Sequence, residues 1–192
     1  MLLLGKYLLV LVAGLCLGLA ATALTLQTGF GFGATRAGPW VAFARRDGAG
    51  LDPYARATFA HTGEIPLGAT EGLSFLAHAD SDGGRLDARC DYIVSGRTPA
   101  ARRWTLSALS PEGRLLPNAA ERYGFTSSEL LRDARGGFRI VLSRHARPGN
   151  WTPLPQAGPF ALMLRLYESE FSASSLAFDA QSLPTITRGD CS

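Results

Sequence analysis

Between residues 73 and 167 apolar side chains recur at every second position, and this period of two restricts the chain more than any other feature. Leu73, Phe75 and Ala77 alternate with Ser74, Leu76 and His78; Cys90, Tyr92 and Val94 share a face; Trp104, Leu106 and Ala108 alternate with Thr105, Ser107 and Leu109. Phe138, Ile140 and Leu142 repeat the pattern, and Phe160, Leu162, Leu164 and Leu166 close it against Ala161, Met163, Arg165 and Tyr167. Successive side chains of a strand point to opposite faces, so each run has one side to bury and one to leave wet. Strands of a parallel sheet would instead read as unbroken apolar runs. Turn sequences such as "DSDGGRLD", "PEGR" and "RGG" separate the runs. With few helices to cover them, such strands bury their apolar faces against each other, which predicts a mainly β chain: an antiparallel β-sandwich with one or two short helices.

Two helices are legible. Asp52 can cap, Pro53 suits a first helical position and Gly63 a left-handed end, so a helix is expected over about residues 53 to 62. "TSSE", residues 126 to 129, has the spacing of a capping box and predicts a short helix through Arg132.

The N-terminus breaks the pattern. Tyr7 to Leu26 is 20 residues without a charge; at about 1.5 Å per residue such a helix would be roughly 30 Å long, enough to cross a bilayer core. A cleaved signal sequence is the rival, with Lys6 as a minimal n-region and Ala21, Thr22 and Ala23 as an A-x-A-like site. The apolar run is longer than a usual h-region, which favours an uncleaved transmembrane anchor. The expected division is an anchor or signal over residues 1 to 27, a Gly-rich linker over 28 to 40 ending in Gly38-Pro39, and the β-sandwich over 41 to 192. A short N-terminus inside and a translocated domain make this a single-pass protein of the inner membrane with its domain in the periplasm. Gly14 and Gly18 have a spacing that can pair helices, though glycines are common in such spans.

The net charge of +3 comes from basic residues dispersed along the chain, nowhere more than two together, with no basic track interleaved with aromatics, so no nucleic-acid partner is expected. Cys16 lies in the apolar segment, which leaves Cys90 and Cys191 as the pair in the exported part; pairs in oxidising compartments tend to be joined. No C-x-x-C or Cys/His cluster points to zinc. Asp80, Asp82 and Asp87 fail the spacing of a calcium loop in either register tried, since Arg85 and Arg89 fall where glycine and an acid are needed. Neither a metal nor a cofactor is expected.

Hydrolase chemistry would need His61, His78 or His145 beside an activated serine, but there is no G-x-S-x-G elbow, and capping explains Ser127 and Ser128. Trp104 sits on a patterned strand and reads as core, whereas Trp151, between Pro148 and Pro153, either plugs an end of the sandwich or lines a cleft. Arg165, in mid-strand, either lies on the solvated face, or is held by a carboxylate such as Glu71, Asp91 or Glu168, or awaits an anion. A ligand site built from Trp151, Arg165 and Tyr167 is therefore the sharpest site hypothesis.

The ordered pieces "DPYARA", "TGEIPLG", "DYIVSG", "WTLSAL", "GFTSSELLR", "RIVLS", "GNWTPLPQAGPFALMLRLY" and "LPTITRGDC" resemble the bacterial family known as domain of unknown function 1214, over most of residues 52 to 191. The resemblance implies a jelly-roll-like sandwich in a short, membrane-anchored form without the companion domain of longer relatives. It implies no activity and no catalytic residue. The expected function is an interaction or scaffolding module of the cell envelope, with envelope proteins as partners; binding of a glycan, lipid or other small envelope ligand is the alternative, and hydrolysis a third.

Overall fold

The computed structural model describes residues 2–28, 34–43, 71–97, 101–169 and 182–191, with the single positions Pro53, Arg56, Ala57, Ala60, Leu67 and Pro99. Among the described residues the helix α1 (Leu2–Thr28) precedes ten strands: β1 (Ala34–Ala37), β2 (Trp40–Phe43), β3 (Gly72–Ala77), β4 (Cys90–Gly96), β5 (Ala101–Leu109), β6 (Gly124–Thr126), β7 (Phe138–Ser143), β8 (Asn150–Pro153), β9 (Ala161–Ser169) and β10 (Thr185–Cys191). They form a six-stranded sheet, β1-β2-β3-β9-β5-β6, and a four-stranded sheet, β10-β4-β7-β8.

The period of two is realised as two inner faces pressed together. Leu73, Phe75, Trp104, Leu106, Leu162, Leu164 and Leu166 from the larger sheet meet Tyr92, Val94, Ile140, Leu142 and Ile186 from the smaller in one buried cluster. Trp104 is 1% exposed and its ring lies 4.8 Å from that of Phe138, while Tyr92 meets Phe160 edge-on at 5.4 Å. The fold is the expected β-sandwich, preceded by an apolar helix of which Leu3–Thr25, 23 residues, has no buried position.

Three local readings change, and a fourth lies mostly outside the described residues. Residues 34 to 40, expected in a linker, form β1 and the turn into β2, with Ala37 paired to Trp40 across Gly38-Pro39 and Gly38 at φ +59°. A glycine of positive φ opening a two-residue loop makes a hairpin of the II′ kind; Trp40, buried to 1%, then seats in the core and donates its indole N–H to the Pro184 carbonyl at 2.7 Å. "TSSE" makes a turn, not a helix. Half of the capping box forms, with the Thr126 N–H donating to Glu129 Oε2 at 3.1 Å, but the Ser127 N–H donates to the Trp104 carbonyl at 2.8 Å and holds the chain to the edge of β5. Third, β8 lies parallel to β7, with Val141 level with Trp151, whereas every other strand pair is antiparallel. The crossover from β7 to β8 runs through residues 144 to 149, so "GNWTP" is itself a short edge strand and more than a turn. Fourth, the helix expected over 53 to 62 lies mostly outside the described residues, as does His61; Pro53, Arg56, Ala57 and Ala60 are helical.

Cys90 and Cys191 are bonded, as expected, joining register partners on β4 and β10.

Candidate functional site

The three residues expected to share a cleft are not brought together. Arg165 is level with Ser74 and Thr105, and Tyr167 with Gly72 and Arg103, so both point out of the six-stranded sheet, opposite in sense to Leu164 and Leu166. Trp151 is level with Val141, on the outward side of the four-stranded sheet. The two outward surfaces lie on opposite sides of the sandwich. Two of the carboxylates considered for Arg165 are engaged elsewhere: Asp91 accepts from Arg147 at 2.6 Å and Glu168 from Arg102 at 2.8 Å.

The "NW" of the quoted block does structural work instead. Asn150, 6% exposed, accepts the Leu131 N–H at 2.8 Å and donates to the carbonyls of Leu131 at 2.8 Å and Arg139 at 3.0 Å. Its amide thus acts as a missing strand for the segment after "TSSE", and this grip is a second reason why no helix continues there. The indole N–H of Trp151 donates to the Ser143 carbonyl at 3.0 Å, and the Trp151 carbonyl accepts from Arg122 at 3.1 Å. Both polar groups of Trp151 therefore serve the edge of the sheet, which protects β8 against pairing with other chains.

A groove of about 680 Å³ runs over the outward face of the four-stranded sheet. Its floor is the strip that alternates with the core residues, Ile93 and Ser95 of β4 with Arg139 and Val141 of β7; its walls are the Asp133–Gly137 turn, Pro148-Gly149 and Gly189-Asp190. The Arg147–Asp91 ion pair lies along one side. Asp133 accepts the N–H groups of Gly137 and Arg135, each at 2.8 Å, and these bonds hold its carboxyl below the usual range. The groove therefore offers fixed charges of both signs around a mixed floor in which Ile93 and Val141 are the apolar part. Sequence reasoning missed it because it weighed the buried face of each strand and treated the other as solvent; Asp91, Ile93 and Ser95 on one strand and Arg139 and Val141 on its neighbour were the available signal.

The remaining candidates have local roles. Asp80, 3% exposed, accepts the N–H groups of Asp82 at 3.1 Å and Gly84 at 2.7 Å and takes Arg188 at 3.0 Å, so it organises the hairpin after β3. Ser127 Oγ accepts the Trp104 N–H at 3.3 Å. Among the described residues no group of three or more histidines, cysteines and carboxylates could hold a metal ion.

A family model described as a protein of unknown function, DUF1214, matches residues 71–171, just over half of the chain. The chain belongs to the DUF1214 family. Two solved structures resemble the DUF1214 chain. The VPA0106 protein from Vibrio parahaemolyticus is 20% identical with a TM-score of 0.62, the match covering 92% of this chain and 44% of that one. An uncharacterised protein from Burkholderia cenocepacia is 19% identical with a TM-score of 0.48, over 90% and 41%. The DUF1214 chain thus spans less than half the length of either, and the first likeness shows the fold alone. No curated protein matches it. An exposed apolar helix and a disulfide together indicate an exported or envelope location for this DUF1214 protein.

Proposed function

We propose that this chain is a single-pass protein of the inner membrane whose periplasmic β-sandwich is an interaction module for envelope proteins. The observation that carries the reading is the exposed helix: Leu3–Thr25 has no buried position, and a span of that length and apolarity finds a fitting solvent in a bilayer. Tethering confines the domain near the membrane and raises its effective concentration for partners there. The solved relative from Vibrio supports a modular role, since the same sandwich is under half of that longer chain. The groove over β4 and β7 has enough relief to hold a partner segment. The same relief favours the second reading, a glycan or lipid ligand, because fixed carboxylates and guanidiniums beside the apolar Ile93 and Val141 suit such molecules.

The test places a photo-crosslinking side chain at Ile93 or Val141 in the intact protein in membranes, with Arg114 on a remote turn as control. A discrete protein adduct from the groove positions alone is expected. A lipid or glycan adduct would move the assignment to the second reading, and equal labelling from Arg114 would overturn the groove as a site.

A further inference from the structure

We propose that the Cys90–Cys191 disulfide is an exchange site for small thiols that carry a negative charge. Cys191 is exposed at the end of β10, and a recess of about 520 Å³ lies over the bond, lined by Arg85, Asp87, Arg89, Arg188 and the two cysteines. Three guanidiniums and one carboxylate give this lining a net charge of +2, or +1 when Asp80 behind it is counted. Two of the cations, Arg89 and Arg188, are held in place. Arg89 is bidentate on Asp87, at 3.0 and 2.9 Å, which uses both carboxylate oxygens. Arg188 binds Asp80 at 3.0 Å and the Arg85 carbonyl at 2.6 Å, and lies 5.7 Å over the Tyr92 ring. Arg85 itself is exposed.

Exchange proceeds through attack of a thiolate on a disulfide sulfur. The incoming thiolate bonds to the exposed Cys191 Sγ, the Cys90–Cys191 bond breaks, and its electron pair leaves on Cys90 Sγ as a thiolate beside the guanidiniums. A second thiolate attacks the small-molecule sulfur of the mixed disulfide, releasing Cys191 as a thiolate and the small thiol as its own disulfide; two thiols are oxidised and one protein disulfide is reduced. Negative charge enters with the reagent, spreads in the transition state and ends on the leaving sulfur, so fixed cations favour every stage. β10 is paired to β4 through Thr185–Arg188 as well as by the bond, so reduction is expected to leave Cys191 near Cys90 and allow the reverse reaction. The recess affects the rate of exchange, whereas the proximity of the two cysteines on paired strands governs its equilibrium in the folded protein.

The experiment reduces the intact, detergent-solubilised protein with mercaptoethanesulfonate, mercaptoethanol or cysteamine, compared per thiolate, with acid trapping and mass analysis of the adduct. The expected order is anionic, neutral, cationic, with about tenfold or more between the extremes, narrowing at high salt, and the first adduct on Cys191. Arg85→Glu should abolish the order and Arg85→Lys keep it; this exposed side chain is not part of the core, and an unchanged melting temperature checks the fold. Equal rates for the three thiols, an order that survives Arg85→Glu, or reduction only after unfolding would each overturn the proposal. It stands apart from the interaction reading, whose failure would show in the crosslinking pattern and leave this order untouched.

Discussion

Asn150 shows how one side chain can decide the path of a distant segment. Its amide fills the hydrogen bonds of Leu131 from 19 residues away, in a partly buried site. Asn150→Ala removes the partner of one N–H and two carbonyls, groups that water can reach in part, so the loss stays below the penalty for fully buried unsatisfied groups. The expected loss is about 1–3 kcal/mol, read as a lower urea midpoint of the intact protein in detergent. Asn150→Asp should be at least as harmful, because a carboxylate would face two carbonyl oxygens. Asp87 makes a prediction of a different kind. Hydrogen bonds from the Arg89 side chain and backbone hold its carboxyl at about 2, against about 3.9 for a free aspartate. A depressed folded value means stability that is whole above about pH 4 and is lost as pH falls through about 2. The urea midpoint should therefore hold level down to about pH 4 and decline below it. Asp133, lowered by its turn, adds to that decline, so Asp87→Asn should flatten it only in part.

At the scale of elements, close approach of strands sets the tolerances. Gly72, at φ +152°, begins β3 where an added Cβ would collide with the Leu166 carbonyl of β9. Gly72→Ala should therefore destabilise by more than the ~1 kcal/mol typical of a point substitution, whereas Gly136→Ala, at φ +77° in an open turn, meets no atom and should lose only the left-handed backbone preference. Differential scanning calorimetry of the pair separates collision from conformation. The edge strands are short or held: β6 has three residues and β8 four, and Ser81 bonds both backbone groups of Ile186 on β10. Reducing the disulfide should lower stability by at most roughly 4–5 kcal/mol, the loop-closure limit for about 100 residues, without unpairing β10.

For the whole molecule the decisive contrast is between a sandwich that buries its apolar faces and a helix that buries none. Alkaline carbonate should leave the intact chain in the membrane pellet and release a chain lacking residues 3 to 25. A mature protein that begins after Ala23 would show instead that the helix is a signal and remove the anchor from the proposed function.

The two-layer core, its inward residues and the apolar N-terminal helix were legible in the sequence, because burial imposes a period on each strand that needs no knowledge of its neighbours. The Cys90–Cys191 pair was legible by elimination. What lay beyond reach were relations between strands. That Trp151 and Arg165 face opposite ways depends on which sheet each strand joins, and alternation within a strand does not report that. The same ignorance hid the hairpin of residues 34 to 43, the grip of Asn150 on Leu131 and the groove over β4 and β7. Each arises from hydrogen bonds or side chains supplied by residues remote in sequence, so only the tertiary fold could decide it.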